Sequence, residues 1–102
     1  MQNITEDLRQ TVERAIRAAA EEMGNELPQG FLLRLERPRQ AGHGDWATNA
    51  AMQLGKSFGV SPKDFAAAVI DKLPEGGIVS KAEVAGPGFI NFFLAPVWIA
   101  ET

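Results

Sequence analysis

A chain of 102 residues, 45% hydrophobic and 23% charged, has the size and balance of one soluble globular domain; this excludes a disordered chain and leaves too little length for a nucleotide-binding catalytic domain with its substrate domain. With 13 acidic against 10 basic side chains the net charge is -3, unlike an autonomous, basic nucleic-acid binder, so any RNA contact has to be local. Zero cysteines exclude disulfides, thiol nucleophiles and the common zinc frameworks, and the single histidine, His43, cannot build a multi-histidine metal site, so no cofactor is expected in the chain itself.

From Thr5 to Met23, the residues Leu8, Val12, Ala15, Ile16, Ala19 and Met23 recur at helical spacing and predict a first amphipathic helix. Thr5 is the expected N-cap, Glu6 and Asp7 suit the positive end of the helix dipole, and Gly24 suits a left-handed C-terminal cap. After a loop through Pro28, Phe31–Glu36 alternates Phe31, Leu33 and Leu35 against Leu32, Arg34 and Glu36, which predicts a strand ending before Pro38. Residues 38–44 read as an exposed loop.

Asp45 is the expected N-cap of a second helix, with Trp46 as an apolar anchor at its entrance, Ala47, Ala50, Ala51, Leu54 and Phe58 as its buried stripe, and Gly59 as its stop. Ser61-Pro62 opens a third helix, whose stripe is Phe65, Ala66, Val69, Ile70 and Leu73. Ile78–Ala85 and Phe89–Leu94 are strand-like, and the short Gly86-Pro87-Gly88 connection permits only an antiparallel hairpin. The expectation is an α+β domain in the order α-β-α-α-β-β, with helices packed on one face of a small antiparallel sheet. Residues 97–100 resemble the opening of another helix, and the stop at Thr102 implies a boundary inside a longer protein.

No run approaches the ~18 apolar residues of a membrane span, and the polar first ten residues are unlike a secretory signal, so a cytoplasmic protein without a membrane partner is expected. Gly42-His43-Gly44-Asp45-Trp46 contains two acid-base side chains but no associated nucleophile, so hydrolysis is not expected. Gly86 and Gly88 match neither a lysine-bearing phosphate loop nor a dinucleotide fingerprint.

The last strand is the most informative stretch. Its alternation sends Ile90, Phe92 and Leu94 to one face, the core, and Phe89, Asn91 and Phe93 to the other, where a solvent face usually carries charges or threonines. On the same parity Ile78 and Val84 point inward, while Val79, Lys81 and Glu83 point outward, joined by Arg34. Aromatics with an amide between them, beside Lys81 and Arg34, are suited to stacking an unpaired base and meeting phosphates. Phe89 and Phe93 are also suited to packing beneath a loop or a second domain, and pattern alone leaves these alternatives open. The densest basic group is Arg34, Arg37 and Arg39.

Two stretches, 44–49 (Gly-Asp-Trp-Ala-Thr-Asn) and 84–94 (Val-Ala-Gly-Pro-Gly-Phe-Ile-Asn-Phe-Phe-Leu), resemble the N-terminal domain of bacterial arginyl-tRNA synthetases. The intervening helices and the Gly59-Val60-Ser61-Pro62 turn follow the same order. The resemblance implies that residues 1–96 form the tRNA-contacting domain and that residues 97–102 begin the connection to an absent class I catalytic domain. It further implies docking on the D-loop at the outer corner of tRNA(Arg), with Phe89 stacking, Asn91 hydrogen-bonding and Gly86 allowing close approach. The implied parent uses ATP and Mg to attach arginine to tRNA, and the fragment alone is no enzyme. The competing expectation is a bracing module that packs on the catalytic body without reading a base. Some members carry asparagine where this chain has Gly86, which leaves a backbone contact there.

Overall fold

In the computed structural model, residues 4–38, 44–74 and 77–95 are described. Helix α1 spans Ile4–Glu22 and buries Leu8, Val12, Ala15, Ile16, Ala19 and Ala20 along the stripe its spacing predicts. Because the helix already includes Ile4, Thr5 lies inside its first turn and is not the N-cap. At the other end Gly24 has φ +78°, and the Asn25 N–H reaches back to the Ala20 carbonyl at 2.8 Å, closing the last turn.

Helix α2 (Ala50–Phe58) and helix α3 (Pro62–Asp71) form a tight corner. Gly59 ends α2 in the left-handed conformation, as expected, with the Val60 N–H donating to the Gly55 carbonyl at 2.9 Å. A Cβ on Gly55 would lie 3.0 Å from Pro62 Cα, so the corner is close enough to need a glycine there. Phe58 meets Phe65 edge to face at 5.5 Å, and α1 packs on α3, where Lys72 and Glu22 form an ion pair between the two segments.

The sheet has three antiparallel strands in the order β1 (Trp46–Thr48), β3 (Phe89–Leu94), β2 (Val79–Ala85). Helices α2 and α3 cover one face, burying Ile90, Phe92 and Leu94 against Ala50, Ala51, Leu54, Phe65 and Val69. The α+β class, the element order and the helix-covered face agree with the sequence reading, but the first strand is a different segment. Phe31–Glu36 makes a single bridge, in which Glu36 and Ala47 exchange two hydrogen bonds of 2.7 Å. Continuing that register would pair position 34 with Asn49, where the chain turns into α2, and position 38 with Asp45, where proline has no N–H to donate. The alternation survives without a ladder: Leu33 is buried and Leu32 exposed.

Asp45 is therefore not the cap of α2. It precedes β1, its N–H donates to the Phe92 carbonyl, and its Oδ2 accepts the Leu94 N–H at 2.8 Å, tying the two strands together. Trp46, expected at the helix entrance, belongs to β1 opposite Phe92, and Ala47, expected in the helical stripe, is a strand residue. The α2 entrance is instead served by buried Thr48, whose Oγ1 accepts the Ala50 N–H at 3.2 Å.

Two further expectations about β2 are corrected. Val84, placed in the core by parity, does share the face of its partner Ile90 but is 37% exposed, because β2 is the edge strand and its far end is incompletely covered. Val79, placed outside, is buried: a register shift between Val79 and Lys81 inserts one residue and resets the alternation, so Val79 pairs with Leu94. Ser80, in the shift, donates its hydroxyl to the Phe93 carbonyl at 3.0 Å.

Candidate nucleic-acid interface

The strand pairings define the sheet face opposite the helices. Across it run three cross-strand rows: Ala85 with Phe89, Glu83 with Asn91 and Ala47, and Lys81 with Phe93. The Glu36 bridge adds one more residue beside Ala47, so the face has a wall on the β1 side. The result is a groove of about 490 Å³ lined by Glu36, Arg37, Pro38, Ala47, Ala85, Gly86, Pro87, Phe89 and Asn91. That volume lies in the range of small-ligand sites.

Three of the residues singled out by sequence, Phe89, Asn91 and Gly86, come together in this groove. Asn91 is only 7% exposed, but its amide, which no hydrogen bond engages among the described residues, is not among the buried unpartnered groups and keeps its access to solvent at the groove. Phe89, two residues earlier on the same face, is partly buried and offers an aromatic surface at the turn end. Gly86 has φ +55°, and a Cβ added there would meet nothing within 4 Å, so the turn is open on that side. The adjacent Gly88 is the opposite case: at φ +137° its missing Cβ would lie 2.7 Å from Pro62 Cβ, which seats the hairpin turn on the α2–α3 corner.

The two cations named with them are placed outside the groove lining. Lys81 sits over the Phe93 ring at 5.1 Å and pairs with Glu83 at 2.7 Å. Arg34 is exposed on the segment leading to the Glu36 bridge. Arg37 borders the groove, but its guanidinium carbon lies 4.2 Å from the centroid of the Trp46 ring, and Trp46 pairs with Phe92 and packs against the core on the other face of the sheet. The membership of Arg37 in the basic cluster was visible in sequence, but its position was not, because it depends on the single bridge at Glu36. Arg39 and His43 lie outside the described residues, as do residues 97–102. Among the described residues, no group of acidic or histidine side chains could hold a metal ion, and no helix is long and apolar enough to cross a membrane.

Residues 6–94 match the family described as "Arginyl tRNA synthetase N terminal domain". The chain belongs to that family. It is 39% identical to an arginine–tRNA ligase of Desulforamulus reducens over 97% of this chain and 18% of that protein. Among solved structures, the arginyl-tRNA synthetase of Thermus thermophilus superposes with a TM-score of 0.66 at 30% identity, covering 92% of this chain and 15% of that one. The Plasmodium falciparum arginyl-tRNA synthetase superposes with a TM-score of 0.79 at 16% identity over 99% of this chain and 18% of that one, a likeness of fold. The chain thus spans less than a fifth of the length of these synthetases.

Proposed function

We propose that this chain serves as the tRNA-contacting appended domain of an arginine–tRNA ligase, and that its groove takes a nucleotide from the D-loop at the outer corner of tRNA(Arg). The domain itself performs no chemistry. The body of the ligase uses ATP, with Mg, to join arginine to the tRNA, and the domain contributes binding and orientation. The observation that carries the reading is the Asn91 amide, without a partner among the described residues and open to a groove beside Phe89. An amide has both donors and an acceptor for a base edge, and a neighbouring aromatic ring supplies the stack that single-stranded RNA recognition uses. Gly86 leaves the turn open for the sugar-phosphate chain, while Arg34 and Lys81, at the margins, attract the RNA without touching the base. A bracing role draws on a different observation: Leu32, beside the exposed Arg34, is itself 79% exposed, an apolar side chain suited to packing on the ligase body.

The test is a double-mutant cycle in the full-length ligase. Phe89→Ala and Asn91→Ala are each combined with tRNA(Arg) transcripts carrying single abasic sites through the D-loop. A stacking partner reveals itself as the one position at which the protein and RNA losses fail to add. Additive losses at every D-loop position would leave bracing as the role of the domain.

A further inference from the structure

Among the described residues that line the groove, Glu36 alone is acidic, and the base contact proposed above does not use it. Its backbone makes the bridge to Ala47, while its exposed carboxylate forms no ion pair among the described residues. The pairings fix where that carboxylate lies. Glu36 and Ala47 exchange both hydrogen bonds, and Ala47 is in register with Asn91, so the three side chains leave the sheet on one face and in one row. A methyl group thus sits between a carboxylate and an amide. Neighbouring strands lie about 4.8 Å apart, which puts the two ends of the row roughly 10 Å apart at the backbone with a low floor between them. Phe89 is two residues from Asn91 on the same face, on the side of the Gly86 turn.

We propose that Glu36 is a specificity-determining residue of the groove: its carboxylate accepts an exocyclic amine of the base stacked on Phe89, while Asn91 holds the same edge from the other side, so that the groove selects guanine, adenine or cytosine over uracil. This selection presupposes the tRNA reading above and adds to it the class of base. An amide carries donors and an acceptor and can turn to suit any base edge, so Asn91 cannot discriminate by itself; a carboxylate only accepts. Guanine, adenine and cytosine each present an amine, and guanine sets an imino N–H beside it to meet both carboxylate oxygens. Uracil presents one imino N–H flanked by carbonyl oxygens, so a carboxylate that reaches the donor also meets an acceptor. The same charge keeps phosphate out of the row. No cation in the lining offsets it, because the Arg37 guanidinium lies against the Trp46 ring on the core face and Lys81 pairs with Glu83 outside the groove. The nucleotide therefore enters base first, with its sugar-phosphate chain over the open Gly86 turn and its base edge over Ala47.

The experiment measures dissociation constants of the full-length ligase for tRNA(Arg) transcripts carrying G, A, C or U at the D-loop position that couples to Phe89. The parent is compared with Glu36→Gln and Glu36→Ala on each transcript, which cancels any effect of the base on the fold of the tRNA. The parent is expected to bind the amine-bearing transcripts about tenfold more tightly than the U transcript, the size of a hydrogen bond to a charged group. Glu36→Gln, whose amide both donates and accepts, brings all four within about threefold, chiefly by strengthening U. Glu36→Ala levels the series from the other direction, by weakening the amine-bearing transcripts. A parent that binds all four alike, or a Glu36→Gln that shifts all four by one factor, would make Glu36 a solvated charge and overturn the selection; the coupling of Phe89→Ala to its position would then keep the groove reading intact. If no D-loop position couples to Phe89→Ala or Asn91→Ala, the groove reading fails and the selection with it.

Discussion

Phe89 and Phe92 sit three positions apart on one strand, on opposite faces of the sheet, and truncating each to alanine separates binding from folding. Phe92 is fully buried among α2, α3 and the strands, so Phe92→Ala removes a packed ring and leaves a cavity, a loss of about 3 to 5 kcal/mol. At roughly 4 to 8 °C per kcal/mol for a domain of this size, the melting temperature of the 102-residue chain falls by at least about 12 °C. Phe89 is only partly buried and lines the groove, so a fraction of the ~1.5 to 3 kcal/mol of a fully buried ring is at stake, about 1 kcal/mol. Its larger effect belongs to RNA: losing one base-aromatic stack is worth about 1 to 3 kcal/mol, or roughly a 5- to 150-fold weaker dissociation constant. Thermal melts of the chain and tRNA(Arg) titrations of the full-length ligase read the two quantities separately. The reasoning is refuted if Phe89→Ala melts as low as Phe92→Ala and, once folded, binds tRNA as well as the unsubstituted protein.

Asp45→Ala should destabilise the chain by about 1.5 kcal/mol through the lost charge-assisted acceptor, with Asp45→Asn recovering part of it. Hydrogen exchange localises the loss: the Leu94 amide should exchange faster while the first turn of α2 is unchanged, and the reverse pattern would restore Asp45 as a helix cap. Gly86→Asn should melt within about 1 kcal/mol of the parent, since asparagine tolerates the left-handed region and nothing obstructs its Cβ, whereas Gly88→Ala should lose more through its contact with Pro62. Equal melting temperatures for the two would contradict the seating of the turn. On α1, the hydrogen bond from Arg9 holds the Glu6 carboxyl below its ordinary 4.5. A depressed folded-state value means the pair stabilises the fold above pH 4.5 and that this contribution is lost as pH falls through the lower folded value. Acid titration of stability should therefore show a smaller drop below that pH for Arg9→Ala than for the parent, and identical acid limbs would remove the pair from the account.

The three helices were legible in sequence because helical periodicity and its stops are local: Leu8 to Ala19, Ala50 to Phe58 and Phe65 to Val69 repeat within a turn or two, and Gly24, Gly59 and Pro62 mark ends by backbone geometry that neighbours do not change. The face assignment of β3 was legible for the same reason, since alternation along six residues needs no partner to define it. That alternation also brought Phe89 and Asn91 to one side.

What only the tertiary structure decided is pairing. Trp46–Thr48 is too short to show a period, and it becomes a strand because β3, more than forty positions later, supplies its hydrogen bonds and Asp45 clamps the join. Phe31–Glu36 has a better strand pattern and forms only one bridge, because the neighbouring segment turns into α2 on one side and Pro38 lacks an N–H on the other. The inserted residue in β2 reversed Val79, and edge position exposed Val84, neither of which propensity reports. The groove follows from the same long-range events. Its floor, Phe89 and Asn91, was written in one strand, but its wall, at Glu36, exists only where segments distant in sequence meet, because a hydrogen-bonded pair constrains positions that local sequence leaves independent.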